Sequence, residues 1–283
     1  MHFLVFAVIC SVLVSVVLKL ARRQRLDIAQ MVTWNYLVAA SLSALLLRPS
    51  LDTLAHGHAP WGALLALAVI LPTLFLVLGR AVAQAGIVRS DVAQRLSLLL
   101  SLLAAFVFFG EQAGPLRLAG LGVGLLAIAA ITARSGDHAQ APGSWRWLLA
   151  VWFGFALVDI LLKTVALSGT PSMAALLVCF SLAFVLMLAL QLWRHVRGHA
   201  RLAWRNLVGG ALLGLLNFGN ILFYVRAHQR LSDSPATVFA GMNIGVVVLG
   251  ALVGMGVFGE RTSAWNRVGL GLAVLAIGLI AAG

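Results

Sequence analysis

Long apolar runs separated by short polar intervals organise this chain from end to end. Ten such runs lie near residues 2–20, 28–47, 61–84, 91–109, 115–133, 145–166, 172–193, 206–229, 236–258 and 264–282. Each is close to the roughly 20 residues that a helix needs to cross the hydrocarbon of a bilayer. A helix satisfies its own peptide groups, which is the condition for crossing where no water is present to do so. The intervals carry helix punctuation: Arg-Pro-Ser at 48–50, Ala-Pro-Gly at 141–143, and Pro115, Pro171 and Pro235, where a proline can open a helix. Pro72 falls in the middle of the third run and predicts a kink or a broken helix. Trp61, Trp145, Trp147, Trp193, Trp204 and Trp265 fall at run ends, where an amphipathic ring prefers the headgroup level. The pattern predicts an all-α fold: a polytopic membrane protein with ten transmembrane helices and little mass outside the bilayer.

Composition agrees with the pattern. Apolar residues make up 62% of the chain and charged residues 10%, and the mean hydropathy is +1.03, outside the range of a water-soluble domain. The net charge of +12 would suggest nucleic acid as a partner of a soluble protein. Here the arginines are scattered over short loops with no basic face, so membrane topology accounts for them and nucleic acid is not expected. Cys10 and Cys179 sit mid-run and far apart, and read as small apolar residues. The first run has no positive segment before it, and Arg22, Arg23 and Arg25 follow it, so a retained first span is expected rather than a signal peptide.

The chain repeats itself. Shifting by 149 residues lays Phe109 to Ile131 on Phe258 to Ile280 without a gap, with 10 identities over 23 positions. The matches include Phe-Gly-Glu at 109–111 and 258–260, which holds both glutamates of the chain, and Gly120, Leu121, Gly122 on Gly269, Leu270, Gly271. The two lysines, Lys19 and Lys163, are 144 apart, each near the end of the first run of a five-run block, and Arg80-Ala81 and Arg226-Ala227 are 146 apart. These offsets predict two repeats of five helices, residues 1–134 and 145–283. Because five is odd, the second repeat would enter the membrane from the opposite side, giving an inverted-topology pair.

Two five-run repeats, each with a lysine closing its first run and a Gly-Glu after its fourth followed by a Gly-rich fifth, resemble the EamA-type branch of the drug/metabolite transporter superfamily. The resemblance covers essentially the whole chain. It implies ten helices in a basket, a central cavity lined mainly by spans 1, 3, 4, 6, 8 and 9, and movement of small metabolites, often outward. Family members usually have both termini in the cytoplasm. Here loops after odd-numbered runs hold thirteen arginines, Arg89 among them, and loops after even-numbered runs hold four. The positive-inside rule therefore predicts termini on the non-cytoplasmic side of a cell (inner) membrane.

Candidate chemistry is sparse, and each candidate has a structural alternative. Glu111 and Glu260 read as loop acids that accept hydrogen bonds at the start of the next helix, ahead of a proton-carrying role. Lys19 can run its charge to the interface. Asp159 and Lys163 share a helical face, the acid four residues before the base, and suit either a zwitterion-binding pair or a burial-cost-lowering ion pair. Asp91 and Arg95 repeat that spacing, with Asp91 expected near the surface as a helix-start acid. Asn217, Asn220 and Tyr224 align at i, i+3 and i+7, and these, Asn243, and Asn35 with Tyr36 suit cavity lining or helix-to-helix hydrogen bonding about equally. Gln94 stands beside Arg95. Gly210 and Gly214, Gly241 and Gly245, Gly250 and Gly254, and Gly120 and Gly124 have the small-xxx-small spacing of close helix packing. His195 with His199, and His56 with His58, are weak metal patterns.

The expected function is secondary transport of a small polar metabolite, zwitterionic or anionic, amino-acid-like ones included, across the cell membrane by alternating access, with export the expected direction. Its expected contacts are Asp159, Lys163, Asn217, Asn220, Tyr224, Asn243, Gln94, Arg95 and Lys19. A flippase for a lipid-linked head group is the alternative, and an intramembrane enzyme a more distant one. Soluble-enzyme motifs such as a P-loop, GxSxG, HExxH or CxxC are absent. No enzyme activity, cofactor or metal is expected, and the partners are the substrate and the lipid bilayer. One polypeptide supplies both halves, so a monomer suffices and a dimer is not required.

Overall fold

The computed structural model describes residues 2–55, 59–109, 114–132, 143–199, 201–231 and 235–282. Glu111, His56 and His58 lie outside the described residues. The described chain is helical, in the order α1 (His2–Arg23), α2 (Ile28–Leu42, continued by a π-helical turn at Ser43–Leu47), α3 (Asp52–Ala55), α4 (Trp61–Ala85), α5 (Ile87–Arg95), α6 (Leu98–Phe109), α7 (Pro115–Thr132), α8 (Ser144–Leu167), α9 (Ser172–Val196), α10 (Trp204–Arg230), α11 (Pro235–Gly256) and α12 (Ala264–Ala282). Eight helices are long and apolar enough to cross a membrane. The other two predicted runs are the shorter apolar helix α7 and the pair formed by α5 and α6. Trp61 and Trp204 open their helices, Trp145 and Trp265 are second in theirs, and all four are exposed. Large apolar side chains such as Leu65, Val69, Leu126 and Leu252 also face outward, as they do on a helix whose solvent is lipid.

Helix α4 runs unbroken through Pro72, which corrects the broken-helix alternative there. The interruption falls in the fourth run instead, at Leu96 and Ser97, between α5 and α6. There the Leu96 carbonyl accepts from Leu99 N at 3.0 Å and from the indole Nε1 of Trp152 at 2.8 Å. The break is thus satisfied by a buried tryptophan, a partner that local sequence does not reveal. The fourth run also begins earlier than expected, at Ile87, behind Gly86 at φ +91°. Arg89 is accordingly not a loop residue. It is 4% exposed and its Nε donates to the Ile131 carbonyl at 2.8 Å, in the last turn of α7, where a cation complements the helix dipole.

The helices group into two compact units. The first holds Met1–Lys19, Val77–Ala156 and Gly219–Gly283, and the second Leu20–Leu76 and Leu157–Phe218. In the second unit α2 packs on α9. Tyr36, wholly buried, lies between Phe75 and Phe180 with ring centroids 6.0 and 5.9 Å away. Gly210 and Gly214 of α10 lie against the backbone of α2, where a Cβ would come within 2.5 Å of Met31 O and 2.8 Å of Asn35 O. Asp27 caps α2 through Ala29 N at 2.9 Å and pairs with Arg194 of α9 at 3.0 Å.

In the first unit α7 packs on α12, and the packing is reciprocal. A Cβ on Gly120 would meet Ile280 Cγ1 at 2.6 Å and Ala276 O at 3.1 Å; one on Gly269 would meet Ile131 Cγ1 at 2.7 Å and Ala127 O at 3.2 Å. All three pairs, 120 with 269, 127 with 276 and 131 with 280, are matched by the 149-residue shift. Ile128, Ile131, Ile277 and Ile280 join Val92, Leu96, Leu99 and Trp152 in one apolar core. Helix α5 lies on α11, and α1 meets α11 where Leu4 and Val8 face Gly241 and Gly245.

Candidate functional site

Within this first unit, a polar column is built where α1, α5 and α11 meet. Its side chains come at one-turn intervals: Ser11, Ser15 and Lys19 from α1, and Asp91 and Arg95 from α5, preceded one turn earlier by the Ile87 amide. That spacing stacks them on one face of each helix. The three tiers are chemically distinct.

In the outermost tier the Glu260 carboxylate accepts from Ile87 N at 2.7 Å, from Val88 N at 3.1 Å and from Lys19 Nζ. It thereby satisfies two amides that the first turn of a helix leaves without partners. Lys19 also lies over the Phe258 ring, 4.8 Å from its centroid. Glu260 does accept hydrogen bonds at a helix start, but the helix is α5 and not the following one, α12. The approach is opened by glycines: a Cβ on Gly86 would be 2.6 Å from Glu260 Oε2, and one on Gly254 2.9 Å from it. An open cleft of about 280 Å³ borders this tier, lined by Lys19, Gly86, Glu260 and Arg261 among others.

The middle tier is Asp91. Ser15 donates its hydroxyl to Oδ1 at 2.6 Å. With 2% of its surface exposed and a place in the second turn of α5, Asp91 is not the near-surface helix-start acid that its place at the start of the apolar run suggested. The helix begins a full turn earlier than the apolar run does, which carries the acid inward. In the inner tier Arg95 donates to Ser11 Oγ at 2.6 Å and reaches Asn243 Oδ1 at 3.5 Å, while Asn243 returns its Nδ2 to the Phe239 carbonyl at 2.9 Å.

The structure therefore brings Lys19, Arg95 and Asn243 into one column, with Gln94 half-buried beside Arg95. Asn220 and Tyr224 belong to the same unit, and Tyr224 stands edge-on to His228 with centroids 4.5 Å apart. Asp159, Lys163 and Asn217 belong to the other unit, so the expected stripe of Asn217, Asn220 and Tyr224 is divided between the two. Asn217 donates to Asn35 Oδ1 at 3.3 Å, a bond from α10 to α2. Asp159 is exposed and Lys163 half-buried. Sequence reasoning missed Ser11 and Ser15. The available signal was their i, i+4, i+8 spacing with Lys19 in an otherwise apolar helix. Among the described residues, no group of three or more His, Cys, Asp or Glu is placed to hold a metal ion.

A family model described as the EamA-like transporter family matches residues 1–133. An uncharacterized protein of Haemophilus influenzae is 41% identical over 286 residues, across 98% of this chain and 96% of its own length. A solved structure, described only as the crystal structure of a protein, is similar in fold, with a TM-score of 0.58 at 16% identity across 98% of this chain and 95% of its own. Taken with the membrane-spanning helices, the family match leads to one conclusion: residues 1–133 belong to the EamA-like transporter family, consistent with the drug/metabolite transporter superfamily, and the chain is a multi-pass membrane protein.

Proposed function

We propose that the protein is a secondary transporter that exports a small polar metabolite, anionic or zwitterionic, by alternating access. The observation that carries the substrate class is Arg95: a guanidinium set among apolar helices whose bonds include the neutral acceptors Ser11 and Asn243. Such a group can exchange neutral acceptors for a substrate carboxylate, which forms a stronger, charge-assisted pair. Gln94, Asn243, Asn220 and Tyr224 supply neutral polar contacts in the same unit. Lys19 flanks the cleft, and Asp159, Lys163 and Asn217 are the contacts assigned to the second unit.

Alternating access follows from the repeats, residues 1–134 and 145–283, read as an inverted pair whose halves exchange conformations. The reciprocal seating of Gly120 and Gly269 supports that reading. So does the shared pattern of small residues at helix contacts, which leaves packed surfaces able to move as bodies.

Metabolite profiling tests the proposal. Medium and extract from cells overproducing the protein are compared with those from cells making equal amounts of Arg95→Ala or Lys163→Ala. A carboxylate-bearing metabolite that accumulates outside only with the intact protein is the expected result. Equal external accumulation with Arg95→Ala would remove Arg95 from the site. No difference in any polar metabolite, with altered lipid distribution instead, would favour lipid head-group flipping.

A further inference from the structure

We propose that Asp91 is a proton-binding site, the carboxyl that takes up and releases the coupling proton of the transport cycle. The inference deepens the secondary-transporter reading and rests on it for its purpose; the site itself rests on geometry. Asp91 is 2% exposed, and its two oxygens are unequally treated. Oδ1 accepts from Ser15 at 2.6 Å, whereas Oδ2 is buried without a hydrogen-bond partner. Oδ2 is directed at Gly250, where a Cβ would lie 2.5 Å away. An ionised carboxylate has about four acceptor positions, and a buried one with so few donors is costly to keep charged. A permanently ionised structural aspartate would be fully bonded; a permanently neutral position would hold Asn or Leu.

The charges around Asp91 make its proton responsive to substrate. Arg95 lies one turn along α5, and Lys19 with Glu260 one turn towards the cleft. Arg89, also on α5, is turned to the Ile131 carbonyl. Helix α11, packed on α5, carries no titratable side chain; α7 and α12 carry only Arg117 and Arg267; and on α1 the other titratable groups are His2, Cys10, Arg22 and Arg23. Arg95 is therefore the cation nearest along the column on the inner side. A substrate anion that engages Arg95 draws its charge away from Asp91 and favours proton uptake there. Departure of the anion restores that charge and favours proton release. By linkage, the proton in turn favours anion binding, so proton and anion are coupled through one turn of one helix and travel together, and export is driven by the metabolite's own outward gradient. The Lys19 and Glu260 tier, bordering the open cleft of about 280 Å³, gives the proton a polar approach one turn from Asp91.

The test is an infrared pH titration of the purified full-length protein in liposomes. The low-pH minus high-pH difference spectrum of the intact protein should contain the carbonyl stretch of a buried carboxylic acid. Asp91→Asn should lose that band, Glu260→Gln should keep it, and Ser15→Ala should displace it because Oδ1 loses its donor. Should Asp91→Asn fail to fold, Asp91→Glu retains a carboxyl there, and a displaced frequency makes the same assignment. Persistence of the band in Asp91→Asn, an unmoved band in Asp91→Glu, or no titrating carboxylic acid in the intact protein overturns the proposal. The readout needs no transported substrate, so a titrating Asp91 in a protein that exports no metabolite leaves the proton site standing and overturns the metabolite-export reading. A metabolite exported by Asp91→Asn as by the intact protein overturns the coupling role alone.

Discussion

Lys19 and Glu260 form an ion pair across 241 residues of sequence, and the same carboxylate caps α5 through the Ile87 and Val88 amides. The two partners are not equivalent, because the acid accepts from three donors while the lysine, among the described residues, pairs with this one acid. Glu260→Ala should therefore cost more than Lys19→Met. Removing one partner of a buried pair costs about 3–5 kcal/mol, and with side chains 16% and 12% exposed the loss for Glu260→Ala should fall towards the lower end. The double exchange, Lys19→Glu with Glu260→Lys, should not restore stability, since a lysine cannot accept from the two amides. Thermal unfolding in detergent checks the order, and full recovery in the double exchange would refute the capping role.

Glycine substitutions along α11 and α12 should separate by what each faces. A Cβ at Gly250 would press on Asp91 Oδ2, whereas one at Gly278 meets nothing within 4 Å. Gly250→Ala should destabilise by about 1–3 kcal/mol, as overpacking does. Gly278→Ala should be neutral or stabilising by up to about 1 kcal/mol, because alanine is the better helix former. Melting temperatures of the two variants measured side by side are sufficient, and equal effects would argue against the close approach of α5 to α11.

The repeat makes a prediction that ordinary packing does not. Gly120 and Gly269 occupy corresponding places in one reciprocal contact, so Gly120→Ala and Gly269→Ala should have similar costs. Because both open the same α7 and α12 seam, the double variant should fall short of their sum by about 0.5 kcal/mol or more. Strict additivity, or a large inequality between the single variants, would count against a shared two-fold contact.

What was legible in the sequence followed from periodicity and composition, and what was not depended on partners distant in sequence. The apolar runs located the long helices because crossing lipid constrains every residue of a span. The Gly-xxx-Gly pairs marked real contacts because backbone approach admits few residue types. The depth of Asp91 was misjudged because α5 starts at Ile87, within a polar stretch that hydropathy excludes from the run. Pro72 drew attention to α4, while the actual break at Leu96 and Ser97 has no proline and depends on Trp152, 56 residues away. Glu260 was read against its own next helix because only folding brings α5 to it.

Span parity and loop charge together predict the side of the termini. Lys19 closes the first run, Ile87 opens the fourth helical segment and Glu260 follows the ninth run, and all three meet in one tier, as span ends on one side of the membrane would. With buried Arg89 removed from the earlier thirteen, twelve arginines remain on that side against four on the other. The arginine-rich side should face the cytoplasm and both termini the opposite compartment. A C-terminal alkaline phosphatase fusion should be active, and a fusion in the 197–203 loop should not. The reverse pattern would show that the chain keeps its family's usual orientation.

Arg95 provides the sharpest functional prediction. Its planar guanidinium reaches Ser11 and Asn243 with different nitrogens, at 2.6 and 3.5 Å, a geometry that the single nitrogen of a lysine ammonium cannot reproduce. Arg95→Lys should therefore keep the positive charge and the fold yet lower export of a carboxylate substrate about 10-fold or more, in proportion to the loss of one charge-assisted bond worth about 1.5–3 kcal/mol. Asn243→Ala should leave the Arg95 to Ser11 bond in place and reduce export less. Initial rates of efflux from preloaded cells, compared at equal protein abundance, distinguish the two. If Arg95→Lys exports as well as the intact protein, charge alone suffices at this position, and the guanidinium's geometry plays no part in recognising the substrate carboxylate.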